Sequence, residues 1–241
     1  VGKHAAVSGN RYSVHVTFDA CDITIAVLTG RRPHLLKRTL DALPDWLWAS
    51  AHTIVMHNSG DDETAEVLND YEIDLKYTCL DGLWSIGQAS SHLFKLAQAE
   101  RRSFTLHVQD DWLCHDQNGG WLLTALRIFE ERPRVRQVRL RKTSERVSIN
   151  HLVDGQRVSW HQSDGYRWSR RAHFTLNPTL MRTEDLLTDI ESERDGMRQF
   201  LLAGHHIAQL TPGVFTHIGG HGQSLRQRAE LEEVKRRHGR A

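Results

Sequence analysis

Residues 23–28 (Ile-Thr-Ile-Ala-Val-Leu) form a β-branched apolar run closed by Thr29-Gly30, and Pro33 then opens a segment with Leu35, Leu36, Leu40 and Leu43 at helical spacing. This pattern predicts strand, loop, helix. The unit repeats: 53–56 reads as a strand, 57–62 as a polar loop, and 64–68 as the start of a helix. Residues 75–80 give a third strand. A helix over 88–99 turns Leu93, Leu96 and Ala97 inward, and 104–108 is the next strand. Alternation of this kind predicts a parallel sheet flanked by helices.

The second half of the chain is less regular. Residues 121–131 place Trp121, Leu122, Ala125, Ile128 and Phe129 on one side of an amphipathic helix that Pro133 ends. Residues 135–141 then alternate, with Val138 and Leu140 on one face and Arg139 and Arg141 on the other, as a half-solvated strand would. The polar stretch 143–175, with Gly155, Gly165 and two tryptophans, predicts hairpins or mobile loops, and loops this long are often functional. Helical spacing returns over 180–206, and 211–218 predicts a last strand before the turn Gly219-Gly220-His221-Gly222. A surface helix is expected in the tail, 225–241. No internal repeat is visible.

With 241 residues, 39% hydrophobic and 25% charged, the chain can bury one substantial core, so a single α/β domain is expected. Lys+Arg at 31 nearly cancels Asp+Glu at 30, so any basic surface is local. Cys21, Cys79 and Cys114 are spaced too widely for a metal knuckle or a disulfide framework, which fits a reducing compartment. No apolar run is long enough to span a membrane and no signal-peptide layout opens the sequence, so a soluble, cytoplasmic protein is expected.

The chemistry concentrates at Leu106-His107-Val108-Gln109-Asp110-Asp111-Trp112, an apolar run ending in adjacent carboxylates. At the carboxyl end of a buried strand, such a pair faces the crevice where open α/β sheets bind ligands and can hold a metal-bound diphosphate. The competing reading is a helix N-terminal cap with a solvated neighbour.

The order of motifs over residues 22–224 resembles the GT-A class of glycosyltransferases, particularly its broad family 2-like group. The resemblance implies a Rossmann-like, mostly parallel sheet flanked by helices. Its nucleotide-sugar-binding half would span 22–112 and its loop-rich acceptor-side half 113–224. It also implies a nucleoside diphosphate sugar donor, UDP-linked in many members, and a divalent cation, Mn²⁺ or Mg²⁺. Thr29-Gly30-Arg31 stands in the first nucleotide-contacting loop, with Thr29 and Arg31 toward the donor. The segment from Asn58 to Thr64 resembles the second such loop, with Asn58 and Asp62 as donor contacts and His57 where an Asp is common. Gln109-Asp110-Asp111 is similar to the acidic motif, with Asp110 facing the ribose and Asp111 binding the metal. His217, in Phe215-Thr216-His217, takes the place of a second metal ligand ahead of His221. Gly87 matches a loop passing close to the donor, although Ser90-Ser91 replaces the usual Arg-Asn. In an inverting member a carboxylate deprotonates the acceptor hydroxyl. The resemblance, followed back from Gly204, implies Glu193 in that position, with Asp195 beside it; an ordinary charged helix start is the alternative.

Asn177-Pro178-Thr179 resembles an acceptor-side strand, or else a simple turn. Arginines at 132, 134, 136, 139, 141, 167, 170 and 171 lie near Trp160, Tyr166 and Trp168, a mixture that suits a polyanion with exposed bases. A hydroxymethylated pyrimidine in DNA, as for phage-type transferases, is therefore one acceptor to consider, beside a saccharide or small-molecule hydroxyl. A nucleotide-sugar-binding module without catalysis and a metal-dependent phosphohydrolase also stay open.

Overall fold

A computed structural model describes residues 22–79, 84–142, 152–153, 156–170 and 174–219. The expected strand and helix units appear in order: β1 (Ile23–Thr29), α1 (Pro33–Asp41), the short α2 (Asp45–Trp48), β2 (His52–His57), α3 (Asp62–Asn69), β3 (Leu75–Thr78), α4 (Ile86–Ala99) and β4 (Phe104–Gln109). There follow β5 (Trp112–Cys114), α5 (Gly120–Glu131), β6 (Val135–Arg139), and two hairpins, β7 (Leu152–Val153) with β8 (Gln156–Arg157) and β9 (His161–Ser163) with β10 (Tyr166–Ser169). The described chain ends in β11 (Thr179–Arg182), α6 (Glu193–Leu202), β12 (His206–Leu210) and β13 (Phe215–His217).

Nine strands form one sheet in the order β3-β2-β1-β4-β11-β6-β12-β10-β9. The first four are mutually parallel, β12 is parallel to β6, and β11 and β10 run antiparallel to their neighbours. Burial explains the pattern. Ile23, Ile25 and Val27 of β1 pack with Leu36 and Leu40 of α1 and with Ile128 and Phe129 of α5. The alternate residues Ala26 and Leu28 face Leu93 and Phe94 of α4 and Phe200 of α6. Both faces of the sheet are thus covered, as a mostly parallel sheet requires. Among the described residues no helix is long and apolar enough to cross a membrane.

Two expectations need correction. Residues 180–206 are not one helical stretch: Thr179–Arg182 is a central strand, and α6 is confined to Glu193–Leu202. Thr179, Leu180 and Met181 are all buried, so this strand lacks the alternation that would reveal it. Likewise β6 is not half-solvated. Arg139 is 3% exposed because β6 lies between β11 and β12, with the 174–176 segment against the face that carries its side chain. The expected tail helix and the turn at 220–222 lie outside the described residues.

Candidate active site at the carboxyl rim of the sheet

The ends of β1 and β4 meet as neighbouring parallel strands, and this brings Thr29 and Gly30 onto Asp110. Thr29 Oγ1 donates to Asp110 Oδ2 at 2.9 Å and the Gly30 amide donates to the same oxygen at 3.0 Å. Arg32, which the sequence reading passed over, closes the site. Its guanidinium forks, one arm on Asp110 Oδ1 and the other on Asp111 Oδ2 at 2.6 Å. Burial pushes the Asp110 carboxyl up to about 6, while the Arg32 guanidinium draws it in the other direction. Arg32 is held above its ordinary value by the two carboxylates, which outweigh its own burial.

His217 arrives from the far end of the chain. Strand β13 pairs antiparallel with β5, setting His217 opposite Trp112, and the Ile218 amide donates to the Asp111 carbonyl at 2.8 Å. His217 Nε2 then lies 3.1 Å from Asp111 Oδ2. A Cβ on Gly219 would stand 2.7 Å from that oxygen and 3.0 Å from His217 Nε2, so a larger residue there would displace the pair. The other Asp111 oxygen, Oδ1, is buried with no partner.

The donor set suits a divalent cation: a carboxylate with an unsatisfied oxygen and an imidazole beside it, with diphosphate and water left to complete the shell. Among the described residues no group of three or more His, Cys, Asp or Glu side chains converges. The site would therefore bind a cation mainly together with its anionic ligand, and Arg32 would have to release Asp111.

Asn58 belongs to the same rim. Its amide donates to the Thr29 carbonyl, while its side chain donates to the Trp84 carbonyl and accepts from the Trp84 amide, tying the loop after β2 to the start of α4. Arg31 has φ +50, is exposed, and donates its amide to Ser59 Oγ. Asp62 is exposed in the first turn of α3. It is Asp61 that caps this helix, and burial, which would raise its pKa, is overcome by hydrogen bonds from Ser59, Thr64 and His57. His57 turns its ring to Asp61 at 3.1 Å.

Glu193 and Asp195 behave differently from one another. Asp195 works at the α6 N-terminus, accepting from the Glu191 amide and from Gln199. Glu193 Oε1 accepts from the Leu176 amide at 2.6 Å and from Thr175 Oγ1 at 3.1 Å. The 174–176 segment leads through Pro178 into β11 on the same rim of the sheet as Asp110. Gly87 is placed against the chain entering α6: a Cβ there would meet the Glu191 carbonyl oxygen at 2.1 Å and the Ser192 nitrogen at 2.6 Å. Nearby, Ser91 Oγ donates to the Ile190 carbonyl and accepts from the Ile190 amide. Gly87→Ala is expected to cost about 1–3 kcal/mol through overpacking, read in urea unfolding, and to displace Glu193. Unchanged stability would mean that the 190–192 segment yields freely.

Tyr166 is buried on Glu131 and Arg132, and Trp168 is stacked between His161 and His206, so neither ring is open to a base. Trp160 carries the Arg167 guanidinium at 4.6 Å.

No family model matches the sequence, and no curated protein matches it. Solved structures do. Residues 1–349 of S. aureus TarS in complex with UDP-GlcNAc are 18% identical with TM-score 0.53, covering 84% of this chain and 60% of that one. The chain has a GT-A-like fold. The same TarS fragment in complex with UDP gives 18% identity and TM-score 0.53 over 80% of this chain and 59% of that one. A longer TarS structure gives 17% and 0.54 over 88% and 39%. This chain therefore spans less than two thirds of the TarS chains it matches.

Proposed function

We propose that this protein transfers a sugar from a nucleoside diphosphate sugar, UDP-linked, to an acceptor hydroxyl, with Mn²⁺ or Mg²⁺ held by Asp111 and His217. What carries the reading is the convergence of Thr29, Gly30, Arg32, Asp110, Asp111 and His217 at the carboxyl rim of β1 and β4. It is supported by the fold shared with a protein crystallised with UDP and with UDP-GlcNAc. Asp110 faces the ribose, and Thr29, Arg31 and Asn58 line the nucleotide side. The cation, when bound, offsets the charge that develops on the leaving diphosphate. Arg32, released from Asp111 and still held by Asp110, contributes its freed arm as a charge-assisted donor to the same oxygens.

In the transfer step the acceptor oxygen forms a bond to the anomeric carbon as the bond from that carbon to the diphosphate oxygen breaks. The electron pair leaves with the nucleoside diphosphate, and the hydroxyl proton goes to the free oxygen of Glu193. Attack from the face opposite the leaving group inverts the anomeric centre. Asp195 holds the helix that carries this base.

The test is a panel of nucleoside diphosphate sugars scored by thermal unfolding with and without Mn²⁺. A ligand that binds only the folded state at one hundred times its dissociation constant adds about 2.7 kcal/mol. Stabilisation by a UDP-sugar that requires Mn²⁺, followed by turnover of that donor, is the expected result. Absence of stabilisation by any donor removes the proposal, and stabilisation without turnover leaves a binding module.

A further inference from the structure

The turn between β1 and α1 is clamped at three successive residues. The Gly30 amide donates to Asp110, the Arg31 amide to Ser59, and the Arg32 carbonyl accepts from the Leu35 and Leu36 amides at 3.0 and 2.9 Å as α1 begins. Pro33 suits this start, because it has no amide to leave unpaired and its φ is already helical. The backbone of Arg32 is therefore fixed, and what is left to move is its side chain, which is 20% exposed.

That side chain pairs with both carboxylates of the site. Its Nη2 lies on Asp110 Oδ1 and its Nη1 on Asp111 Oδ2, its Nε has no partner, and among the described residues Asp110 and Asp111 are its ion-pair partners. Asp111 Oδ2 also faces His217 Nε2 at 3.1 Å, whereas Asp111 Oδ1 is buried and unpartnered. A cation taken up by Asp111 and His217 would therefore meet the guanidinium at close range, in a partly buried setting where like charges repel strongly. The Arg32 arm cannot simply withdraw, because leaving Asp111 without meeting another anion strands a charge that burial has partly stripped of water. A diphosphate removes the conflict: it accepts charge-assisted hydrogen bonds from the freed arm and supplies oxygens to the cation. Charge balance agrees. Two carboxylates and one guanidinium leave an excess of negative charge, a divalent cation alone overturns it, and the doubly charged diphosphate of a nucleotide sugar restores it.

We propose that Arg32 couples cation binding to donor binding: it competes with the cation for Asp111 until a diphosphate draws it away, so the cation is taken up with the donor and not before it. The donor and the cation in this statement rest on the transferase reading. Coupling of this kind is reciprocal, so the donor in turn binds more tightly when the cation is present. Taking Arg32 away leaves two neighbouring carboxylates short of a positive charge, which favours any cation that can reach Asp111.

The test needs no turnover. Mn²⁺ is titrated against the whole chain at constant ionic strength and the free ion is read by electron paramagnetic resonance, with and without UDP, against a control of UDP alone. In the parent protein UDP is expected to raise the affinity for Mn²⁺. Arg32→Gln is expected to bind Mn²⁺ without UDP about tenfold or more tightly than the parent does, and to gain less from UDP. Adding Asp111→Asn to Arg32→Gln is expected to abolish that gain, which assigns the ion to Asp111. Should Arg32→Gln fail to fold, Arg32→Lys, which keeps a positive charge near Asp110 but cannot fork to both carboxylates, is expected to show the same direction of change. Mn²⁺ affinity that is unchanged or weaker in the Arg32 variants, with the UDP effect intact in the parent, overturns the proposal and leaves the transferase reading standing. A gain that survives Asp111→Asn puts the ion elsewhere and also overturns it. Absence of Mn²⁺ binding in every form, with or without UDP, ends the proposal together with the Mn²⁺ part of that reading.

Discussion

Asp111→Asn is expected to lower turnover of the sugar donor by about 100- to 1,000-fold, the range seen when one preorganised charge partner is removed from a leaving group or oxyanion. The substitution keeps the shape of the side chain and removes its charge. Asp110 is a poorer choice for the test, because its carboxylate holds Thr29, Gly30 and Arg32 together and its loss would disorder the rim itself. In Asp111→Asn the Arg32 guanidinium keeps its Asp110 partner, so unfolding should shift little. The two measurements are a donor-consumption assay over a Mn²⁺ titration and thermal unfolding with Mn²⁺ plus UDP-sugar. Loss of the Mn²⁺-dependent stabilisation together with loss of turnover assigns the cation to Asp111. Turnover within a few-fold of the parent would instead make Arg32 the countercharge to the diphosphate and dismiss the metal.

Such a distinction was beyond the reach of local sequence pattern. Strands β1, β2 and β4 were legible because each is an apolar run bounded by a turn, and β1 and β2 are each followed by a helix with inward positions at helical spacing. The acidic motif was legible for the same reason, since it ends one of those runs. Arg32 was not, because its partners lie 78 and 79 residues away and nothing around it marks it apart from its neighbour Arg31. His217 was found only through the order of motifs; its contact with Asp111 spans 106 residues and depends on the antiparallel pairing of β13 with β5.

The second half of the chain misled for a different physical reason. A strand in the middle of a mixed sheet has no solvent face, so Thr179-Leu180-Met181 shows no alternation, and Arg139 looks like the polar side of a half-solvated strand. Gly87 sits at a close approach of two backbones whose partner, Glu191-Ser192, is known only once α6 is placed against α4. The sequence reading put Gly87 in a loop passing close to the donor and gave no sign of its approach to residues 191–192.

The same packing makes the second large effect specific. Glu193→Gln is expected to reduce transfer to the acceptor by about 100- to 10,000-fold, the usual contribution of a positioned general base, while donor affinity stays unchanged. Glutamine retains an oxygen in place of Oε1, so the Leu176 amide and Thr175 hydroxyl keep their acceptor and the segment leading into β11 stays put. What disappears is the negative charge, and with it the capacity to take the acceptor proton. Arg139 and Arg141 also lose the carboxylate that favours their charged forms, so a modest loss of stability accompanies the change. Transfer and donor hydrolysis should be measured side by side. A base acting on the acceptor is needed for transfer, whereas departure of the diphosphate depends on the Asp111 end of the site, so the two rates should separate. Parallel loss of both with weakened UDP binding would reduce Glu193 to a structural anchor, and full transfer would remove it from the mechanism.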